Sequence, residues 1–391
     1  MNDAPNSMRS NWTLPEGLVY LNHGSFGPSP KVVQQARTRW FEELESQPMQ
    51  FLVRRTESEL DTTCEELGQF IGCDADDVLL VDNASFAMNI AANSVDLKAG
   101  AEVLTTNHEY GSVLRLWRKV CKDAGAKLVV QRLADPLTTP EEFVDRFFEG
   151  ATDRTRVIVI SHVTSPTAAV FPVEEICRRA RQQKIMTVID GPHAVAMLPL
   201  NMRRIDCDFY AASCHKWLSA PFGSGFLYVK RRWQQTLRPN LISWGGSLSG
   251  RASHWKDEFR WIGTRDPSAM IAVRDAIRFL TDYGIKRFRD ETTELASYVR
   301  QQVEARTACK VIVPPEWSRS MVSFRLPDDG VEAPKHGYLD PVQGRLQDYQ
   351  IEAPVTNWNG QRLLRVSCYL YNDRADVDHL CDALAEILGN G

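Results

Sequence analysis

Two hydrophobic periods alternate along the first two-thirds of the chain. Short, nearly unbroken apolar runs end in polar or turn residues and predict strands at 78–81, 102–106, 127–130, 157–161, 186–190, 209–212 and 225–229. Between them, apolar residues recur at spacings of three and four. That period predicts helices over 31–72 (Val33, Ala36, Trp40, Phe41, Leu44), over 86–95, through Trp117 and Val120, over 140–148 and over 173–183. Thr139 stands where its hydroxyl can open the fourth of these. Strands that are apolar on both faces, separated by helices, imply a mostly parallel sheet covered on both sides.

The rhythm changes after Lys230. Residues 231–265 are rich in Trp, Gly and Ser and predict a long loop region. A helical pattern covers 267–306, and strand patterns at 311–313, 321–324 and 363–367 lead to a closing helix over 374–388. The expected organisation is an N-terminal arm at 1–20, a large α/β domain over 21–266 and a smaller α+β domain over 267–391. A chain of 391 residues is long enough for two such cores.

Composition narrows the function classes. With 43% hydrophobic and 25% charged residues, the chain can build a sizeable core. A net charge of −4 gives no electrostatic case for nucleic acid or an anionic membrane. No apolar run is long enough for a spanning helix, and the first residues lack the apolar core of a signal peptide. Nine cysteines without CxxC pairs fit a reducing compartment, so a cytoplasmic enzyme is expected. Eight histidines without HxH or HxxxH spacing offer no metal site.

Ligands of such a sheet bind at the carboxyl ends of its strands. The polar residues that end the apolar runs are therefore the candidates. Lys216 follows the 209–212 run within Ser213-Cys-His-Lys216 and precedes a Gly/Pro/Ser turn. Partial burial beside cationic groups depresses a lysine pKa and makes it an amine nucleophile able to form a Schiff base. That position points to pyridoxal phosphate (PLP). Asp190 ends the 186–190 run, where a carboxylate can hold a pyridine nitrogen protonated. An N-cap would explain it equally well alone, but Lys216 follows after one intervening strand. His193 is a candidate for the cofactor's phenolic oxygen.

Asp82-Asn-Ala-Ser85 opens a helix, so Asn83, Ala84 and Ser85 can hold a phosphate at its N-terminus, with Ser213 and His215 completing the cup. Taken alone the segment is only a good N-cap. Asn107-His-Glu-Tyr110 ends another strand. Tyr110, or else His108, can stack on the cofactor face opposite the lysine, although a capping loop with a core tyrosine reads equally well. Ser165 or Thr164 can meet the ring oxygen. Gly263 and Thr264 can contact phosphate and Arg265 supplies a charge, though ordinary turn chemistry also explains them. Arg365, on an apolar strand, suits a substrate carboxylate or an internal salt bridge. Asn22 and His23 are further substrate candidates.

Together these residues resemble the class V aminotransferases of the fold-type I PLP-dependent enzymes, in the isopenicillin N epimerase-like branch. The likeness runs in order from Tyr20-Leu-Asn-His-Gly-Ser-Phe-Gly through Asn83-Ala-Ser, His108-Glu-Tyr-Gly, Ser161-His-Val-Thr-Ser-Pro-Thr, Asp190-Gly-Pro-His, Ser213-Cys-His-Lys-Trp and Gly263-Thr-Arg-Asp to Arg365-Val-Ser-Cys. It implies a seven-stranded-type sheet between helices. It also implies that Lys216 binds the cofactor covalently, Asp190 pairs the pyridinium and Arg365 grips the substrate carboxylate. The resemblance further implies a homodimer with the active site at its interface, Gly263 and Thr264 reaching the other subunit's phosphate.

The resemblance also implies a class of reactions. Lys216 takes the Cα proton of an amino acid. Epimerisation then needs a second acid, for which Tyr110 or His108 is placed; β-elimination needs only a leaving group, and transamination a second acceptor. Cysteine desulfurases of the family carry a nucleophilic cysteine shortly before the matching arginine, and residues 349–364 hold none. A persulfide-forming desulfurase is therefore not expected, and a non-catalytic scaffold is disfavoured by Lys216, Asp190 and Arg365. Loops around Asn22, Trp244 and Trp358 would set side-chain specificity.

Overall fold

The computed structural model describes residues 7–133, 137–335 and 338–389. A short strand, β1 (Val19–Tyr20), precedes seven that form the central sheet: β2 (Val78–Val81), β3 (Glu102–Thr106), β4 (Lys127–Gln131), β5 (Thr155–Ser161), β6 (Met186–Asp190), β7 (Phe209–Ser213) and β8 (Gly225–Val229). Their spatial order is β2-β8-β7-β6-β5-β3-β4, and only β8 runs against its neighbours. All seven are the strands that the apolar runs predict.

Strand alternation divides the sheet's contacts between two cores. Val157 and Val159 face a core with Ala87, Met88, Ile90, Val113 and Trp117, from the helices Ala84–Ser94 and Gly111–Ala124. Ile158 and Ile160 face the other side, with Phe143, Val144 and Phe147 of Pro140–Phe148 and Ile176 and Cys177 of Val173–Gln182. Thr139 caps its helix as expected, its Oγ1 accepting from the Glu142 N–H.

The smaller sheet adds β9 (Lys310–Val311), β10 (Met321–Arg325), β12 (Val355–Trp358) and β13 (Gln361–Ser367) in the antiparallel order β12-β13-β10-β9, while β11 (Ile351–Glu352) pairs in parallel with β1. Its core joins Val322, Phe324, Leu364 and Val366 to the helices Ile285–Arg306 and Arg374–Gly389. The 267–306 pattern forms three helices, Ser268–Ile271, Val273–Tyr283 and Ile285–Arg306. Gly284, at φ +96, breaks the last two, a backbone angle that L side chains rarely adopt. Val273, Ala276, Ile277 and Leu280 pack into the core that holds Leu67 and Ile71, and Trp12 of the N-terminal segment is buried there too.

Candidate active site

The carboxyl ends of β2, β3, β5, β6 and β7 surround a cleft of about 380 Å³ lined by Lys216, Asp190, His193, Tyr110, Ser85, Ser213, His215, Ser165 and Arg365. These residues lie as far apart as 85 and 365 in sequence, yet the parallel topology brings them to one edge. Asp190 is the last residue of β6 and is followed by a turn rather than a helix, so it caps nothing. Its buried carboxylate makes no side-chain hydrogen bond among the described residues. Burial raises its pKa, and the nearby Lys216 cation opposes the rise. A cationic ring N–H would relieve both deficits.

Lys216 Nζ lies 2.9 Å from His193 Nε2. Burial, reinforced by the Arg365 charge, pushes the lysine well below its ordinary 10.5, while Asp190 pulls the other way. The result is an amine that reaches its uncharged form near neutrality far more readily than an ordinary lysine. His193 is held neutral, well below 6.5, by burial and by the charges of Lys216, Arg365 and His215.

The N-terminus of Ala84–Ser94, where a phosphate is expected, opens on the cleft. Asn83 Oδ1 accepts from the Phe86 N–H at 2.9 Å, and the Ala84 N–H donates to Ser213 Oγ at 2.9 Å. Asn83 and Ala84 therefore shape the cup, and the exposed Ser85 is left to face a ligand. The Ser213 hydroxyl proton is free to donate onward. Gly225 makes this packing possible: a Cβ there would lie 2.8 Å from Asn83 Cα and 2.6 Å from Ala212 O.

The cleft also holds Arg365, which is 3% exposed on β13. Its Nη1 donates to Ser165 Oγ and Ser165 O, both at 2.9 Å, and its Nη2 donates to Ser25 Oγ. No carboxylate pairs with it among the described residues, so the internal salt bridge is not formed. Burial lowers its pKa to about 10, with Tyr110 opposing. Arg365 Nε is buried without a partner and would donate to an incoming carboxylate, whereas Asn22 and Ser367, whose buried oxygens also lack partners, do not line the cleft.

Several expected residues stand elsewhere. His108 is buried away from the cleft, its Nδ1 on Thr167 Oγ1 at 2.9 Å and its ring against Phe171 and Trp358, so it is not positioned as stacking ring or acid. His23 is fully buried, bridges Tyr371 Oη and Lys216 O, and stacks on Tyr369 at 3.5 Å; it braces the lysine loop instead of meeting substrate. Thr164 turns inward to Thr167 Oγ1 and the Ala169 N–H. Ser165, in contrast, does line the cleft; its Oγ accepts from Arg365 and keeps its own proton to donate. Gly263 and Thr264, expected at the other subunit's phosphate, do not line this chain's own cleft, and Arg265 clasps Asp82 through both carboxylate oxygens, at 2.7 and 2.6 Å. Sequence reasoning missed Ser25, Phe26, Asn89 and Ser112 in the lining; the Tyr20–Gly27 motif held the signal for the first two.

A lysine amine, a strand-end carboxylate and an anion-binding helix start, in one cleft of a mostly parallel seven-stranded sheet, define a fold-type I PLP-dependent enzyme. The chain belongs to the class V aminotransferase family, whose model matches residues 19–380. It is 33% identical to isopenicillin N epimerase from Streptomyces clavuligerus, across 97% of this chain and 98% of that protein. It is 27% identical to putative L-cysteine desulfhydrase 2 from Oryza sativa subsp. japonica, across 96% and 85%. A solved C-DES mutant with glycine covalently linked to its PLP cofactor superposes with a TM-score of 0.84 at 18% identity, covering 97% of this chain and 99% of that one. PLP is thus the cofactor, and in this cleft Lys216 would meet its aldehyde, Asp190 its ring nitrogen, and Ser85, Ser213 and His215 its phosphate.

Proposed function

We propose that the protein inverts the Cα configuration of an amino acid that carries an extended side chain. Bound PLP supplies an electron sink that acidifies the Cα–H bond. Arg365 holds the substrate carboxylate, with Ser25 and Ser165 fixing the guanidinium. Lys216, in its uncharged form, takes the Cα proton onto Nζ. Tyr110 returns a proton from its phenol to the other face, and solvent reprotonates it, since the side chain is 47% exposed.

The observation that carries this reading over a cysteine-directed one is a second cavity of about 600 Å³. It shares Tyr110, Ser112 and Ser165 with the reaction cleft and continues between Arg115 and the Val355–Trp358 strand. Cysteine would leave that space unused. The 33% identity to an epimerase named for isopenicillin N supports the same choice. The desulfhydrase relatives favour β-elimination as the second reading. Persulfide transfer is disfavoured because all nine cysteines are buried. We also propose a homodimer, supported by Ile242 and Trp244, 90% and 86% exposed in the loop before Gly263 and Thr264.

The test is to incubate the holoenzyme with isopenicillin N and, separately, with L-cysteine in heavy water. Deuterium at Cα with loss of optical purity of the first, and no sulfide from the second, is the expected result. Sulfide and pyruvate from cysteine with an inert isopenicillin N would replace this reading by a lyase.

A further inference from the structure

Trp217, next to the reactive lysine, has no place in the chemistry above, yet it makes a directional contact. Its indole Nε1 donates to His193 Nδ1 at 3.3 Å, and the other ring nitrogen of His193, Nε2, faces Lys216 Nζ at 2.9 Å. Trp217 is fully buried, and its ring lies 5.5 Å from that of His23 and 6.3 Å from that of Tyr369, centroid to centroid. Its backbone carbonyl accepts from Tyr369 Oη at 3.2 Å. It has no freedom to turn its N–H elsewhere.

An indole N–H can only donate. His193 Nδ1 must therefore present a lone pair, and the single proton of the neutral imidazole must sit on Nε2. A proton on Nε2 aimed at Lys216 Nζ needs an acceptor there, and only the uncharged amine has a lone pair to offer. Donation thus runs one way, from Trp217 to His193 and from His193 to Lys216.

We propose that Trp217 is a positioning residue that locks His193 in its Nε2–H tautomer. The lock keeps one fixed hydrogen-bond donor pointed at the reactive end of Lys216. It favours the uncharged nucleophile in the free enzyme. Once Lys216 is bonded to the cofactor, the same donor remains available to an acceptor beside it. Nothing is transferred in this arrangement; Trp217 acts only through the imidazole.

The first test needs no variant. Nitrogen-15 NMR of the apoenzyme with labelled histidine, with the His193 signals assigned by their loss in His193→Gln, should show a protonated Nε2 and an unprotonated Nδ1. A wild-type His193 protonated on Nδ1 overturns the proposal. The second test is Trp217→Phe, which removes the N–H and keeps an aromatic ring. Its His193 signals should shift towards tautomer exchange. Its rate of PLP capture at pH 7 should fall about 3- to 10-fold, the effect of one lost hydrogen bond, with the pH midpoint of capture displaced upward. The same substitution added to His193→Gln should have no further effect on that midpoint. An unchanged tautomer and midpoint in Trp217→Phe, or an equal shift in the His193→Gln background, would reduce Trp217 to packing.

Discussion

Lys216 concentrates the chemistry because its surroundings withhold water without supplying a carboxylate strong enough to fix its charge. Since desolvation and Arg365 lower its pKa, PLP capture should accelerate as pH rises through a midpoint well below 10.5; stopped-flow absorbance checks this, and an ordinary lysine midpoint would contradict it. Lys216→Ala should abolish borohydride-stable attachment of the cofactor and lower kcat by at least about 10²- to 10⁴-fold. Arg365→Lys loses the fork that engages Ser25 and Ser165, and should raise KM about 10- to 100-fold with a smaller fall in kcat. Lys216, Asp190 and Arg365 were legible in sequence because each ends or interrupts an apolar run, which fixes its place on the sheet. Side-chain direction was not. His108 and Tyr110 are two residues apart, but only Tyr110 enters the cleft, because Glu109 between them is pinned inward by Thr106 Oγ1 and by the N–H and Oγ of Ser161.

At the scale of elements, every central strand was readable from its apolar run, whereas the smaller sheet was read only in part. No strand was read over 349–362, since β11 has two residues and gains its order from pairing with the distant β1. The β12–β13 hairpin did leave a local sign: Asn359 and Gly360, at φ +52 and +83, form the two-residue turn between Trp358 and Gln361. The break at Gly284 was hidden by continuous helical periodicity on both sides. Gly284→Ala should cost about 1 kcal/mol or more in a chemical denaturation curve, from the strain of a positive φ. No loss of stability there would mean that the two helices can merge without cost.

For the whole molecule, burying several neutral histidines sets the acid limit of the fold. His23, His108 and His162 are each lowered to about 3, from 6.5, chiefly by burial. Below pH about 6.5 the unfolded chain takes up protons that these residues refuse in the folded state, so stability falls as pH drops towards 3. Glu109 and Asp190, raised by burial to about 7 and about 6, work the other way, but His193 and His215 are lowered as well and add to the acid loss. The Tm should therefore be lower at pH 5 than at pH 7 by calorimetry, and a higher Tm at pH 5 would contradict this assignment. Among the described residues no helix is long and apolar enough to cross a membrane, consistent with the absence of long apolar runs in the sequence.

The central claim, that Lys216 and Tyr110 serve the two faces of one Cα, is tested most directly by Tyr110→Phe in heavy water. With isopenicillin N as substrate, the wild-type enzyme should give deuterium at Cα together with inversion. Tyr110→Phe should retain deuterium exchange at Cα, driven by Lys216, while inversion falls about 10²-fold or more. Inversion by Tyr110→Phe at the wild-type rate would contradict the account.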